Sequence, residues 1–278
     1  MSAPWFLNQI WQIARKEIKE FINSKRFIIF LLIFGVAYLI LAFINSSDFF
    51  GPSRPPNVVI SNLYGFASFL FVVMAIVFAY DAISRERRSK SLDIILSKPV
   101  MKYELVLGKF LGAAITLVAI VGIVHLAGYA LSIGFSGEIP SLSQFGDFGA
   151  YLGIIFLGMI CYAALALLFS IITRSGATSL IITIIIILFI LPLLPAIFSL
   201  VPDLPSWVHD VIYAISPANC MAIVSEFLRP MTWDIEGESI NFLTISRLSV
   251  WESILAMFIF IGTCLSLAIA IFQKKDLK

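Results

Sequence analysis

The sequence predicts an all-α membrane protein with six transmembrane helices, from its composition, its apolar blocks and the distribution of its charges. Of the 278 residues, 60% are hydrophobic and 13% are charged, and the mean hydropathy is +1.00. A soluble domain is about 45–50% apolar and about 25% charged. The composition therefore argues against a soluble enzyme, a nucleic-acid-binding protein and a disordered protein. The apolar residues form unbroken blocks, whereas a membrane β-barrel would alternate apolar and polar positions.

Six blocks are long and apolar enough to cross a bilayer core of about 30 Å, which requires about 20 helical residues. None has Asp, Glu, Lys or Arg in its middle, which argues against a proton relay or an ion-coupled secondary carrier. Pro192 and Pro195 are expected to kink or end the fifth helix. Gly108 and Gly112 lie four residues apart at the start of the third block, a spacing typical of close helix packing. The predicted spans are residues 27–45, 62–80, 110–135, 150–172, 178–200 and 251–272.

The charged residues are sorted between the two sides of the predicted bundle. Sixteen of the nineteen basic residues fall before the first span, between the second and third spans, between the fourth and fifth spans, and in the tail. Ten of the seventeen acidic residues fall on the opposite side, among them Glu252 at the outer edge of the sixth span. Because positive charge is retained on the cytoplasmic side, both termini are predicted to be cytoplasmic in a multi-pass protein of the cell membrane.

Residues 4–26 are predicted to form an amphipathic helix before the first span. Tryptophan and basic residues at this spacing are typical of a helix that lies at the membrane interface, with its polar face towards anionic lipid headgroups. The alternative is a cytoplasmic extension of the first transmembrane helix. The apolar positions are Leu7, Ile10, Trp11, Ala14, Ile18, Phe21 and Ile22, and the polar face holds Arg15, Lys16, Lys19 and Glu20.

The loop of residues 81–109 is the most highly charged part of the chain. Ser84 is a candidate N-cap of a short helix, which the Lys98-Pro99 step would end. Leu92, Ile95 and Leu96 form a small apolar face on this helix, which has nothing in so small a chain to pack against. One interpretation is a partner protein that covers the face. The other is a basic loop that only fixes the topology.

A long loop, residues 201–250, is predicted on the external side. Two stretches with helical spacing, Trp207–Ile215 and Ala218–Leu228, are separated by Ser216-Pro217. Such helices could lie at the outer interface or dip into the membrane against protein. A small external cap without a gating role is the alternative.

The motifs of several enzyme classes are absent from the sequence. It contains no GxxxxGK[ST] phosphate-binding loop, no HExxH and no GxSxG. The three cysteines form no CxxC pair. We therefore expect no catalytic residue, no cofactor and no metal site on this chain.

Short motifs in a fixed order carry a resemblance to a known family. They are Ile13–Glu17, Ala79–Ile83 followed by Glu86, Ser91–Pro99, Gly108-Lys109 and Ile215–Asn219. In this order they resemble the permeases of ABC-2 type transporters, and among the subgroups those of nitrous-oxide-reductase maturation transporters. One departure is Lys90-Ser91, where the family often has Gly-Thr.

The resemblance implies one half of an ATP-driven exporter. Two copies would form a homodimer around a central cleft, and ABC ATPase subunits on separate chains would bind ATP and Mg²⁺. The short helix of the 81–109 loop would be the coupling helix that contacts the ATPase. The residues implied in coupling are Glu86, Arg87, Leu92, Ile95 and Leu96, and the candidate cleft residues are Phe66, Phe69, Val73, Val77, Ile185 and Phe189.

Two other functions are left open by the sequence. The chain could be a membrane scaffold or maturation factor that couples an ATPase to an external partner without moving a solute. A secondary carrier is the third possibility, against which the uncharged spans argue. The apolar candidate cleft favours hydrophobic or amphipathic cargo, and nucleic acid is not expected as a partner.

Overall fold

The computed structural model describes residues 5–46, 70–89, 100–137, 139–199, 201, 205–227 and 248–274. The regular structure in these ranges is helical, without a strand, which confirms the all-α prediction. The helices are α1 (Trp5–Ile22), α2 (Lys25–Ser46), α3 (70–79), α4 (Ser84–Arg88), α5 (Lys102–Ser136), α6 (Leu142–Ile172), α7 (Gly176–Ile185), α8 (Leu191–Ser199), α9 (Ser206–Ile215), α10 (Pro217–Phe227) and α11 (Val250–Lys274). A π-helical turn, Ile186–Ile190, joins α7 to α8.

Five stretches of the described residues are long and apolar enough to cross a membrane. They match the first, third, fourth, fifth and sixth predicted spans, so the chain is a multi-pass membrane protein. Of the second predicted span, residues 62–69 lie outside the described residues, and α3 covers most of the remainder. The five stretches are Lys25–Ile44, Lys102–Phe135, Leu142–Ile172, Gly176–Phe198 and Val250–Lys274.

Two helices begin eight residues before the apolar blocks that predicted them. At the start of α5, a Glu104 carboxylate oxygen accepts a hydrogen bond from the backbone N–H of Met101 at 2.8 Å. At the start of α6, Ser141 and Gln144 form a reciprocal capping box, with N···O distances of 2.7 and 3.4 Å. Capping by polar side chains satisfies the first free N–H groups, so each helix extends beyond its apolar segment.

The fifth predicted helix does not end at its prolines. It continues to Ser199, and the irregularity is the π-helical turn that precedes Pro192. Proline lacks an N–H group and its ring crowds the carbonyl four residues earlier. A π-helical turn at this point accommodates that crowding, because its wider ring changes the spacing of the local carbonyls.

Helices α5 and α6 form the centre of the bundle. Helix α5 packs against α1, α2, α6 and α11, whereas α6 also contacts α7 and α10. Helix α6 is buried along most of its length, while α2, the α7–α8 segment and α11 each keep a broad exposed apolar face. In a membrane protein such faces lie against lipid or another subunit.

A polar contact joins α2 to α5 inside the bundle. The Tyr38 hydroxyl lies 2.5 Å from His125 Nε2, and His125 Nδ1 lies 2.8 Å from the Val121 carbonyl oxygen. Because Nδ1 faces a carbonyl it carries the proton, so Nε2 accepts from the tyrosine. Gly128 lies directly beneath the Tyr38 ring, where a Cβ atom would overlap ring carbons. The absent side chain therefore gives Tyr38 the room to reach His125.

Substitution of Gly128 by valine is expected to destabilise the bundle, because the added side chain displaces the Tyr38 ring. Overpacking of this kind costs about 1–3 kcal/mol. Thermal unfolding in detergent should show a lower transition temperature. Gly134→Val is the matched control, since Gly134 lies on the same helix with no atom within 4 Å of its Cβ position. Equal transition temperatures for the two variants would contradict this account of α2–α5 packing.

Candidate functional site

A buried charge cluster joins three helices at one end of the bundle. The Lys109 ammonium of α5 lies 2.5 Å from Glu17 Oε1 of α1 and 2.8 Å from Glu86 Oε1 of α4. The three side chains are 0%, 2% and 7% exposed, respectively. We call these three residues the buried triad, and the end of the bundle where they meet the charged end.

The buried triad holds its helices together because each of its buried charges requires a partner of opposite charge. A buried charge costs several kcal/mol unless a partner compensates it. Lys109 compensates two carboxylates, and the Lys16 ammonium, 4.0 Å from Glu86 Oε1, adds a second positive charge. Separation of α1, α4 and α5 would therefore expose the triad to water or leave an uncompensated charge.

A second, exposed tier of ion pairs lies beside the triad. Glu20 of α1 pairs with Arg85 of α4 at 2.9 Å and with Lys16 at 3.5 Å. These side chains are 40–57% exposed. Exposed ion pairs contribute about 0–1 kcal/mol each, so this tier orients α1 against α4 more than it stabilises the contact.

The turn after α3 is tied to the first residues of α2. The Arg26 guanidinium donates to both Asp81 carboxylate oxygens, at 2.9 and 3.3 Å, and to the Val77 carbonyl oxygen at 3.2 Å. It also lies 5.4 Å from the centre of the Tyr80 ring, within the range of a cation–π contact. The bidentate geometry fixes the position of the turn as well as its charge balance.

Segment 80–89 is also bound to the end of α6. Arg87 donates to the carbonyl oxygens of Thr173 at 3.0 Å and Ile171 at 3.3 Å, which caps the last turn of that helix. The Ser170 hydroxyl oxygen accepts from the backbone N–H groups of Ile83 and Ser84 at 3.0 and 3.2 Å. Segment 80–89 is thus bonded to α1, α2, α5 and α6.

Close approach of α1 to α5 depends on two glycines. A Cβ atom on Gly108 would lie 2.7 Å from Ile13 Cβ, and one on Gly112 would lie 2.6 Å from Glu17 Cβ. Real Cβ atoms do not approach so closely, so larger residues would move α1 away. This is the packing that the four-residue spacing predicts, and its partner is the amino-terminal helix.

The structure differs from the sequence prediction at Ser84. The N-cap position of α4 is Ile83, and no side chain caps it. Ser84 is the first residue of the helix, and α4 ends at Arg88. The N-cap assignment is therefore wrong, because the backbone N–H groups of Ile83 and Ser84 bond the Ser170 hydroxyl instead.

The residues expected to couple to an ATPase fall into two groups. Glu86 belongs to the buried triad, while Arg87 caps α6. Their side chains thus make contacts within the chain, and their contact with an ATPase stays a prediction. Leu92, Ile95 and Leu96 lie outside the described residues.

The candidate cleft residues also fall partly outside the described ranges. Phe66 and Phe69 are not among the described residues, while Val73 and Val77 of α3 are half-buried. Ile185 and Phe189 are 45% and 57% exposed, on the exposed face of the α7–α8 segment. Their part in a cleft stays a prediction.

Lys109 and Glu17 are functional candidates that the pattern of hydrophobicity does not single out. Glu17 lies within the predicted amphipathic helix of residues 4–26, and Lys109 lies at the edge of the third predicted span. In both places a charged residue is ordinarily expected to face water. Both nevertheless lie within motifs that carry the family resemblance, Ile13–Glu17 and Gly108-Lys109. Within the described ranges, no group of three or more His, Cys, Asp or Glu residues is placed to hold a metal ion.

The fold is that of a helical multi-pass membrane protein, and comparison with known proteins gives the family. The family model described as "ABC-2 family transporter protein" matches residues 11–277. The chain therefore belongs to the ABC-2 family of transporter membrane proteins, which confirms the resemblance found in the motifs.

Two curated relatives are similar to part of the chain. One is a probable ABC transporter permease protein NosY from Stutzerimonas stutzeri, 30% identical over 149 residues, which is 52% of this chain and 53% of the relative. The other is a probable NosY permease from Pseudomonas aeruginosa, 30% identical over 160 residues, 56% of this chain and 58% of the relative. The aligned regions thus span about half the length of each curated relative.

Removal of the Lys109 charge is expected to destabilise the charged end. In Lys109→Met the carboxylates of Glu17 and Glu86 lose their common cation in a buried site. Loss of one member of a buried ion pair costs about 3–5 kcal/mol. Thermal unfolding in detergent should show a marked decrease in transition temperature. The control is Lys19→Met, which removes the same charge from an exposed position on α1. A Lys109→Met protein as stable as the control would contradict the structural role of the triad.

Proposed function

We propose that the chain is the permease subunit of an ATP-driven exporter, with segment 90–99 as the contact for a separate ATPase. The observation that supports this most strongly is the bonding of segment 80–89. That segment leads directly into 90–99. It is attached to α2, α5 and α6 by buried or bidentate polar contacts and to α1 by the exposed Arg85–Glu20 pair. A force applied to residues 90–99 would therefore act on four helices at once.

In this mechanism the helices respond as one body rather than separately. ATP-driven closure of two ATPase subunits would push the coupling segments of two permease copies. The buried triad would transmit the movement to α1 and α5, and the Arg26–Asp81 pair would transmit it to α2. Hydrolysis and the binding of ATP and Mg²⁺ take place on the partner subunit, so the role of this chain is mechanical and selective rather than catalytic.

The proposed orientation places the charged end in the cytoplasm. The distribution of basic residues supports it, and an ATPase requires that side. Helix α1 would then lie along the inner interface, where its half-exposed Leu7 and Trp11 contact lipid. Helices α9 and α10 would lie on the outer side, between α8 and α11.

Two copies would pair so that exposed apolar faces become buried or line the cleft. The α7–α8 segment presents Ile181, Ile185, Phe189 and Leu193, all 45% exposed or more. An uncharged wall of this kind suits hydrophobic or amphipathic cargo. We propose that this face and α3 of both copies enclose the pathway.

The Leu96→Asp substitution tests the coupling segment directly. A charge on the proposed apolar face should abolish co-purification with the ATPase subunit, as well as stimulation of its activity, because the carboxylate cannot be buried without a partner. Ser97→Asp is the control, since it introduces the same charge one residue away from that face. Unchanged association and stimulation in Leu96→Asp would exclude the coupling role.

The role of Glu86 in transmission can be separated from ATPase binding. Glu86→Gln keeps the side-chain shape but weakens the bond from α4 to Lys109. We expect the ATPase to bind normally and stimulated transport to fall about twofold to thirtyfold, the range for changes of ~0.5–2 kcal/mol in coupling. The control is Glu20→Gln in the exposed tier. Wild-type transport by Glu86→Gln would argue that α4 does not transmit movement through the triad.

A membrane scaffold is the second candidate, favoured by the two helices α9 and α10, which could bind an external protein. Proteoliposomes that contain the permease and its ATPase can be incubated in a cell extract, with their contents then compared by mass spectrometry with and without ATP. ATP-dependent accumulation of a compound would support an exporter, and a hydrolysis-deficient ATPase is the control. ATPase activity stimulated by an external protein, with no accumulated compound, would favour the scaffold.

A further inference from the structure

Three arginines gather where α6 ends and α7 begins. Arg87 caps the last carbonyl groups of α6, and Arg174 lies close enough to repel it. Desolvation, together with this repulsion, lowers the pKa of Arg87. Arg88 reaches the same place from α4, with Nη2 3.2 Å from the position that a Cβ atom on Gly176 would occupy. None of the three forms an ion pair with a carboxylate in the part of the chain that the structure describes.

Helix α7 begins beside this arginine cluster, at Gly176. Helix α7 has ten residues, and its N-cap residue, Ser175, makes no capping hydrogen bond with its side chain. The first N–H groups of the helix have no partner in the preceding turn. With the helix dipole they favour an anion at this end.

Two buried hydroxyl groups at the same place make no hydrogen bond with any described residue. Ser84 is 0% exposed, and its Oγ lies 3.5 Å from the Cβ position on Gly176. Ser179, one turn into α7, is also 0% exposed with an unpaired Oγ. Buried hydroxyls are nearly always hydrogen-bonded, so two unpaired ones indicate a missing acceptor. The Asp81 carboxylate, whose Cβ lies 3.4 Å from the same Cβ position on Gly176, pairs with Arg26 and forms no hydrogen bond with either hydroxyl.

We propose that this junction binds the phosphate group of an anionic phospholipid, and we call it the α6–α7 phosphate site. Its members are Arg87, Arg88, Arg174, the hydroxyls of Ser84 and Ser179, and the first N–H groups of α7. Guanidinium groups bind phosphate in a bidentate manner, and hydroxyl and amide donors complete its hydrogen bonds. The site takes up a ligand independently of the ATPase.

The surroundings favour a lipid as the source of the phosphate. The junction lies between two apolar helices that are long enough to cross a membrane, at the depth where such helices leave the hydrocarbon. Ile172, which is 42% exposed, directly precedes the junction. Its side chain offers an apolar surface to an acyl chain beside a cationic site for the headgroup. A carboxylate from another protein, the alternative anion, has no acyl chain to pack against that apolar surface.

Native mass spectrometry of the full chain in detergent tests the proposal, with phosphatidylglycerol as the probe and phosphatidylcholine as the neutral lipid. Arg88→Gln/Arg174→Gln should retain about tenfold less phosphatidylglycerol, with no change for phosphatidylcholine. Lys25→Gln/Lys274→Gln is the control, since it removes two positive charges from exposed positions outside the junction. Equal losses in the two double variants would overturn the proposal, because they would reflect general surface charge.

Two further measurements test the role of the buried hydroxyls and the choice of a lipid as the ligand. Ser84→Ala/Ser179→Ala leaves the charge unchanged and should still reduce phosphatidylglycerol retention several-fold. Wild-type retention in that variant would overturn the assignment of the buried hydroxyls. Binding of inorganic phosphate with the same arginine dependence, but without phosphatidylglycerol binding, would overturn the lipid assignment. Loss of ATPase association in the arginine variant, with lipid retention intact, would assign the arginines to the partner protein instead.

Discussion

The contact of one lysine with two buried carboxylates is the constraint on which the charged end depends. Lys109, Glu17 and Glu86 come from three different helices, and a buried charge among them would be costly without its partners. Gly108 and Gly112 serve the same contact, because only their lack of side chains lets α1 approach α5 closely enough. The charge cluster and the small residues thus act together: the glycines set the distance, and the ion pairs make it favourable.

The other polar contacts extend this constraint to neighbouring helices. Arg26 fixes the turn before α4 to α2, while Arg87 and Ser170 fix α4 to the end of α6. Most of these bonds are buried or bidentate, so they resist displacement better than exposed ion pairs do. The proposed coupling to a separate ATPase requires a segment that several helices must follow, and segment 80–89 meets that requirement.

Sequence patterns predicted the helical class and the five spans seen in the described residues. Apolar blocks of about 20 residues are typical of transmembrane helices and uncommon elsewhere. They did not predict where α5 and α6 begin, since capping by Glu104 and Gln144 is a local polar effect outside the apolar blocks. They also missed the partnership of Glu17 with Lys109, which depends on how α1 crosses α5. The short motifs that carry the family resemblance do include both residues, in Ile13–Glu17 and Gly108-Lys109.

The buried triad also has a consequence for how the chain is assembled in the membrane. Glu17 precedes Lys109 by 92 residues, so during synthesis α1 is complete long before its counter-charge exists. Until α5 has inserted, Glu17 must stay hydrated, and α1 can rest only at a surface that offers both water and lipid. Its exposed Trp11 and basic residues are suited to such a position at the membrane interface. Closure of the charged end is therefore expected late in biogenesis, when helices that have inserted independently come together.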